Sequence, residues 1–389
     1  MSSSTRKSLP VRRAIISLGS NSATSAFMLQ AALGRLRKYF PSLIASTLLE
    51  TEPIGLDNAA LFSNQTVSIK TSWSRERLHD LFKEIEQDLG RDPKSICEVA
   101  IDIDLVQYGT QVVKSKELNY PHVKQGIEEL LEKEEKMKFI GIIPARYAST
   151  RFPAKPLAKL GGKPVIQRVY EQVVDMVDAA YVATDDERIA EVVRGFGGKV
   201  VMTSPDHQSG TDRCYEAYQK VATPFDVIIN IQGDEPFVQQ EQIDSLKSCF
   251  INDETTDIAT LIKPFTQKSS LTDLENSNSP KVVVGKEDKA LYFSRSVVPY
   301  LRNYPKEEWL ANHTFYKHIG LYAYRAEVLA EITALEQTPL ELSESLEQLR
   351  WLENGYHIKV ATTHIETIGI DTPEDLERAE AFLRTQTNK

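Results

Sequence analysis

The chain has 389 residues, 41% of them hydrophobic, a length that suits two domains and a composition that supplies ordinary buried cores. Lysine and arginine number 46 against 55 aspartate and glutamate, and the net charge of −9 argues against a general binder of nucleic acid or anionic membrane, so any polyanion site must be local. Cys97, Cys214 and Cys249 are far apart, odd in number and without CxxC or Cys/His spacing, which argues against a disulfide framework or a zinc site and makes a reducing cytoplasm the expected compartment.

From the N-terminus, residues 1–11 are Ser-rich and expected to be disordered; they carry no apolar signal region, and no run in the chain is long enough to span a bilayer, so neither export nor membrane insertion is expected. Residues 12–124 form the first expected domain. RRAIISLGSN reads as a strand whose Gly19-Ser20-Asn21 turn feeds the helical stretch SAFMLQAALGRLRKYF. VAIDIDLVQYG alternates so that Asp102 and Asp104 share one strand face. Two aspartates so placed either hold a cation such as magnesium between them or face solvent on an edge strand. The segment resembles the 6-hydroxymethyl-7,8-dihydropterin pyrophosphokinases through ISLGSN, TEPIGLDNAALFSNQTV, LFKEIEQDLGR, IDIDLVQYG and LNYPH. That resemblance implies a small α+β ferredoxin-like domain, with Asp102 and Asp104 as the metal pair, Asn64 as a pterin contact and His122 in the Pro-His motif. The departures are that Cys97-Glu98-Val99 stands where the family has Gly-Pro-Arg, that the loop after Gly90-Arg91 is short and poor in arginine, and that the chain leaves the pattern soon after His122. A truncated domain inactive as a pyrophosphokinase, serving as an appendage or contact surface, is therefore expected; the alternative is a bifunctional chain.

Residues 125–136 are read as a charged helical junction, QGIEELLEKEEK, ending at Met137 and the apolar strand FIGII. Met137 sits where the initiator of an independent protein would sit, so the chain reads as two gene products joined end to end; the alternative is an ordinary internal methionine beside a surface helix.

Residues 137–389 alternate strands and helices: FIGII, a helix near Pro164–Met176, AAYVAT, a helix near Glu187–Phe196, KVVM, and DVIINIQG. This pattern predicts an α/β domain with a doubly wound, mainly parallel sheet, whose ligands lie beyond the strand carboxyl ends. After the first strand, Arg146, Arg151, Lys155, Lys159, Lys163 and Arg168 occur with no acidic residue before Glu171, which reads as an anion site suited to triphosphate oxygens, or else as a solvated basic loop. IINIQGDEP is expected to end a buried strand at Gly233, Asp234 and Glu235, and ETIGIDTPEDL to end another at Asp371 before a helix opened by Thr372-Pro373. Glu374 and Asp375 fall in that helix's first turn and read as complements to its dipole. Asp234 and Asp371, hard carboxylates from separate strands, read either as magnesium ligands or as turn and cap residues.

From Met137 to about Arg384 the chain resembles the 3-deoxy-manno-octulosonate (Kdo) cytidylyltransferases of lipopolysaccharide assembly, through IPARYASTRFPAKPL, VATDDERI, SGTDRCYEA, INIQGDEP, SPKVVV, YFSRSVVPY, KHIGLYAYR, SLEQLRWLENG and IGIDTPEDL. The resemblance implies a nucleotidyltransferase that moves CMP from CTP to Kdo and releases pyrophosphate. It implies that Arg146, Ser149, Arg151 and Lys155 contact the CTP phosphates, that Asp234 and Asp371 hold Mg2+, and that Gln232 and the SGTDR loop border the nucleotide and sugar. Kdo recognition would fall to Arg295, His318, Glu347 and Gln348, and a homodimer is implied. Another acidic sugar, such as a sialic or 8-amino-octulosonic acid, and a nucleotide-binding regulator without turnover are the alternatives.

Overall fold

The computed structural model describes residues 12–53, 60–92, 95, 98–148, 152–253, 255–267, 269–366 and 368–387. The stretch 1–11 expected to be disordered, and the phosphate contacts expected at Ser149 and Arg151, lie outside these residues. The chain divides into two compact units, Met1–Lys136 and Met137–Lys389.

The first unit runs β1 (Arg12–Ser20), α1 (Ser25–Tyr39), β2 (Phe62–Thr71), α2 (Arg75–Asp88), β3 (Asp102–Tyr108) and α3 (Pro121–Lys136), with short strands at the sheet edges. β1 lies between β2 and β3, antiparallel to both. Leu29, Ala32, Leu33 and Leu36 recur at helical spacing on α1, and Leu78, Leu81, Phe82 and Ile85 on α2; these stripes bury the sheet face that carries Ala14, Ile16 and Leu18. Ser74 caps α2 by accepting from the Arg77 amide. The opposite face packs Ile15 and Val106 against Val123 of α3. A Cβ on Gly126 would come within 2.2 Å of Thr66 Oγ1, so α3 lies close on β2. The segment 125–136, expected as a charged helical junction, is helical. It is the later part of α3, held in the first unit because Val123, Gly126 and the fully buried Leu130 share one helix face while the charges take the other.

The second unit contains β4 (Phe139–Ala145), α4 (Val165–Val173), β5 (Ala179–Thr184), α5 (Glu187–Gly195), β6 (Val200–Met202), α6 (Gly210–Lys220), β7 (Val227–Asn230), α7 (Gln240–Ile251), β8 (Ile258–Pro264), β9 (Lys281–Val284), β10 (Ala290–Ser294), β11 (Tyr316–Arg325), α8 (Ala326–Thr333), α9 (Pro339–Glu344), α10 (Gln348–Glu353), β12 (Ile358–Thr362) and α11 (Pro373–Thr387). The main sheet has the order β6-β5-β4-β7-β11-β8-β12. It is parallel from β6 to β7 and between β8 and β12; β11 alone on this path is antiparallel to its neighbours. β9 and β10 form a hairpin whose β9 also pairs with β11. The chain winds outward from β4 through β5 to β6 and returns to β7 on β4's other side. The strand order thus reverses between β4 and β7, and ligands in open α/β sheets bind at the carboxyl ends beside such a point.

Two expected strand ends differ. β7 stops at Asn230, so Gly233, Asp234 and Glu235 follow it in a turn, and the described residues of 363–371 form no strand. A bond from the Ile370 amide to the Asp234 carbonyl at 2.9 Å brings the two acidic turns together. Gly233 permits this: a Cβ there would sit 2.6 Å from the Pro144 carbonyl oxygen, a backbone atom that no rotamer change can move. Gly233→Ala is expected to lower stability by about 1–3 kcal/mol through overpacking, read as a lower Tm; an unchanged Tm would mean that the two turns are not held together this closely.

Candidate active site

A cleft at the carboxyl ends of β4 and β7 is lined by Arg146, Lys155, Gln232, Asp234 and Asp371, with His207, Ser209, Gly210 and Arg213 on its other wall. Lys155 opens a short 3-10 turn after Ala154, which adopts a left-handed conformation at φ 56°, and its ammonium donates to Asp234 and, at 3.1 Å, to Asp371. Asp371 precedes α11, where Asp375 accepts from the Asp371 and Thr372 amides at 3.0 and 2.9 Å. Asp375 is thus spent on capping, as its first-turn position suggested, and its carboxyl is held low by the bonds from Arg378 and these amides despite burial.

The basic run divides. Arg146 and Lys155 reach the cleft, whereas Lys163 pairs with Glu171 at 2.5 Å and Arg168 donates to the Leu160 and Gly161 carbonyls. Among the described residues of the run, Lys163 and Arg168 are therefore spent on Glu171 and on the 160–161 turn, while Arg146 and Lys155 serve the cleft. Beside Asp234, burial and then the Asp234 charge push the Glu235 carboxyl up to about 7, with Lys317 opposing. One Glu235 oxygen is buried without a hydrogen-bond partner among the described residues.

The residues expected at the sugar stand outside this wall but adjoin it. Gln232 reaches the Gly320 carbonyl at 3.4 Å, two residues from His318 on β11. Glu347 accepts from the Thr211 hydroxyl at 2.7 Å, which ties α10 to the start of α6, and burial raises its carboxyl against the bonds from Thr211 and Ser209. Gln348 is buried and its side-chain amide nitrogen has no partner among the described residues. Arg295 spends its donors on three carbonyls, Glu344 at 2.6 Å, Ser277 at 2.9 Å and Ser345 at 3.2 Å, so it clamps two turns. His318 Nε2 lies 3.0 Å from the Thr260 hydroxyl, and burial pushes its pKa down to about 3. It is consequently a neutral hydrogen-bonding group at neutral pH rather than a countercharge for a carboxylate.

His318 also sets a pH dependence. Its pKa is lower folded than the ordinary 6.5, so the unfolded chain binds the extra proton between about pH 6.5 and 3, and its contribution to stability is lost as pH falls through that window. At pH 5 this amounts to at most about 2 kcal/mol. The Tm of wild type is expected to fall more steeply between pH 6.5 and 5 than that of His318→Gln; parallel curves would contradict a buried neutral imidazole.

Sequence patterning did not single out His207 or Glu216. The available signal was the position of His207, two residues ahead of Ser209, the residue that caps α6 in a capping box with Asp212.

In the first unit, a second cleft is lined by Asn64, Asp102, Asp104, Glu117, Tyr120 and His122, together with Glu52. Lys114 pairs with Asp104 and, at 3.1 Å, with Glu117. Burial, then Asp104 and Glu86, raise Asp102 to about 6; burial and Asp104 raise Glu117 to about 7. Asn64 donates to Thr51 at 2.8 Å, and the rings of Tyr120 and His122 stack at 5.6 Å. Val99 is buried, with its amide on Asn21 at 2.6 Å. Among the described residues no group of three or more His, Cys, Asp or Glu side chains is arranged to hold a metal ion, Cys214 and Cys249 are free and buried, and no helix is long and apolar enough to cross a membrane.

The cytidylyltransferase family model matches residues 140–368, and that of 7,8-dihydro-6-hydroxymethylpterin-pyrophosphokinase matches residues 15–159. The chain is similar to the 3-deoxy-manno-octulosonate cytidylyltransferase of Phocaeicola vulgatus, 71% identical over 248 residues that make up 64% of this chain and 98% of that protein. It is also similar to that of Bacteroides thetaiotaomicron, 68% identical over 251 residues, 64% of this chain and all of that protein. Among solved structures it is similar to CMP:2-keto-3-deoxy-manno-octonic acid synthetase complexed with CTP, 40% identical with a TM-score of 0.59, covering 64% of this chain and 99% of that one.

Proposed function

The chain belongs to the cytidylyltransferase family, and we propose that its second unit transfers CMP from CTP to Kdo, giving CMP-Kdo and pyrophosphate. The observation that carries this reading is the 71% identity to a Kdo cytidylyltransferase over 98% of that protein's length. The cleft has the charges the reaction needs. The anomeric hydroxyl of Kdo attacks the α-phosphorus, the bond from that phosphorus to the bridging oxygen of the β-phosphate breaks, pyrophosphate leaves, and the hydroxyl proton passes to solvent. Such transfers are accelerated mainly by positioning and by neutralising phosphate charge. Arg146 and Lys155 line the cleft as cations for the phosphate chain. Gln232, Ser209 and the first turn of α6 through Arg213 border the nucleotide, while His318, Glu347 and Gln348 offer uncharged and acceptor groups to the sugar; Arg295 supports them through the turn at Ser345.

Asp234 and Asp371 would hold magnesium. The donor set fits, being two hard carboxylates close enough to share one cation, the Lys155 ammonium. When bound, the ion supplies charge neutralisation on the α-phosphate and a lowered pKa for the attacking hydroxyl. CMP-Kdo would feed lipopolysaccharide assembly, with the enzyme acting in the cytoplasm as a homodimer. A panel of acidic sugars with CTP tests the substrate assignment: kcat/KM is expected to favour Kdo over N-acetylneuraminate, and the reverse order would overturn it.

For the first unit we infer a pterin pyrophosphokinase-like fold without efficient turnover. The second cleft gathers Glu52, Asp102, Asp104 and Glu117, and Lys114 is engaged by two of them, Asp104 and Glu117. That is an adverse lining for a triphosphate.

A further inference from the structure

His207 lines the nucleotide cleft beside Ser209 and Arg213, and its Nε2 is hydrogen-bonded to Glu216 Oε2. Glu216 also accepts from the Ser204 amide at 2.8 Å and from the Lys220 ammonium at 2.6 Å. Burial opposes the charge on Glu216, but the bonds from Lys220, Ser204 and His207 outweigh it and bring the carboxyl down to about 2. An ionised carboxylate only accepts, so the ring nitrogen facing it must carry the hydrogen. In the neutral imidazole the other nitrogen, Nδ1, is then an acceptor. Among the described residues Nδ1 has no hydrogen-bond partner.

The cleft around this ring is rich in donors, with Arg146, Lys155 and Arg213 on its walls. Cations suit phosphates and cannot accept a hydrogen bond, so a neutral acceptor held rigidly among them suits a donor elsewhere on the nucleotide. The cytosine base of a nucleotide has one donor group, its 4-amino group; uracil presents a carbonyl oxygen at that place.

We propose that His207 is the residue that reads cytosine, accepting a hydrogen bond from the 4-amino group at Nδ1, and that Glu216 is a positioning residue that fixes the tautomer. This rests on reading the cleft as a CTP site. It makes discrimination between CTP and UTP depend on a carboxylate that does not touch the base. A site built to pair with a polar group rejects an analogue lacking it far more strongly than a merely fitted pocket does.

The test compares kcat/KM for CTP and UTP with Kdo in the full chain. His207→Phe keeps a ring and removes the acceptor; it is expected to lower the CTP/UTP ratio by about tenfold or more, mainly through KM for CTP. His207→Asn, which can return an acceptor near the place of Nδ1, is expected to restore part of the ratio. Glu216→Gln can donate to Nε2 and so allow the tautomer with hydrogen on Nδ1, moving preference toward UTP. The 15N shifts of His207 in the wild-type protein provide a readout independent of turnover and of any variant's folding, with the hydrogen expected on Nε2 and Nδ1 left as the acceptor. A wild-type CTP preference left within about twofold in His207→Phe, or a hydrogen on Nδ1 in the wild type, overturns this inference alone. A wild-type chain that does not turn over CTP overturns the cytidylyltransferase reading and this inference with it.

Discussion

Asp234→Asn and Asp371→Asn are each expected to lower kcat for CMP transfer by about a thousandfold or more, with the fold retained. Both carboxylates reach the same Lys155 ammonium, and their turns are joined by the bond from the Ile370 amide to the Asp234 carbonyl. Each substitution preserves side-chain volume and removes one charge from the pair that would hold magnesium. Neither residue is a core group, since their side chains keep 27% and 46% of their exposure, so the Tm of both variants is expected to stay near wild type. The loss should fall on kcat rather than on CTP affinity, because the interaction removed is one that strengthens as charge builds on the α-phosphate. Near-normal turnover of either variant at limiting magnesium would rule out the metal assignment; a collapsed fold would show instead that the pair is structural.

The alternation of apolar strands with amphipathic helices made the α/β architecture of the second unit readable, because period and length are local properties. The antiparallel placement of β11 was not readable, since KHIGLYAYR has the same apolar character whichever way it pairs. Residue types at the cleft were legible for a related reason: a run of cations after one strand and lone acids after others are local signals. What sequence could not convey was which partner each group meets. Lys163 and Arg168 looked equivalent to Lys155 until Glu171 and the Leu160 and Gly161 carbonyls were seen to engage them. Arg295 meets carbonyls 18, 49 and 50 residues away, and the imidazole of His318 is kept neutral by burial rather than by any neighbour in sequence. In the first unit, the charged face of 125–136 concealed a buried stripe, because Gly126 and Leu130 are too sparse to stand out beside the seven charged residues of EELLEKEEK.

The full chain, supplied with ATP, magnesium and 6-hydroxymethyl-7,8-dihydropterin, is expected to form AMP at least a thousandfold more slowly than the roughly one turnover per second of an ordinary enzyme. A transferring pyrophosphoryl group needs cations around it, and losing a bidentate arginine contact costs on the order of several kcal/mol in the transition state. Where an arginine would be expected, Val99 is buried with its amide on Asn21, so no guanidinium reaches the cleft from that position. Glu117 adds a third carboxyl to Asp102 and Asp104, and Lys114 is engaged by Asp104 and Glu117. These features act in the same direction, each making the approach of a polyphosphate less favourable. AMP formation at about one per second or faster would show a bifunctional enzyme.

CMP transfer can be followed directly by 31P NMR of the full chain incubated with CTP, magnesium and Kdo. A phosphodiester signal of CMP-Kdo is expected to grow in step with pyrophosphate, with no pyrophosphate when Kdo is omitted. Pyrophosphate released without Kdo, or CTP left intact in its presence, would contradict it.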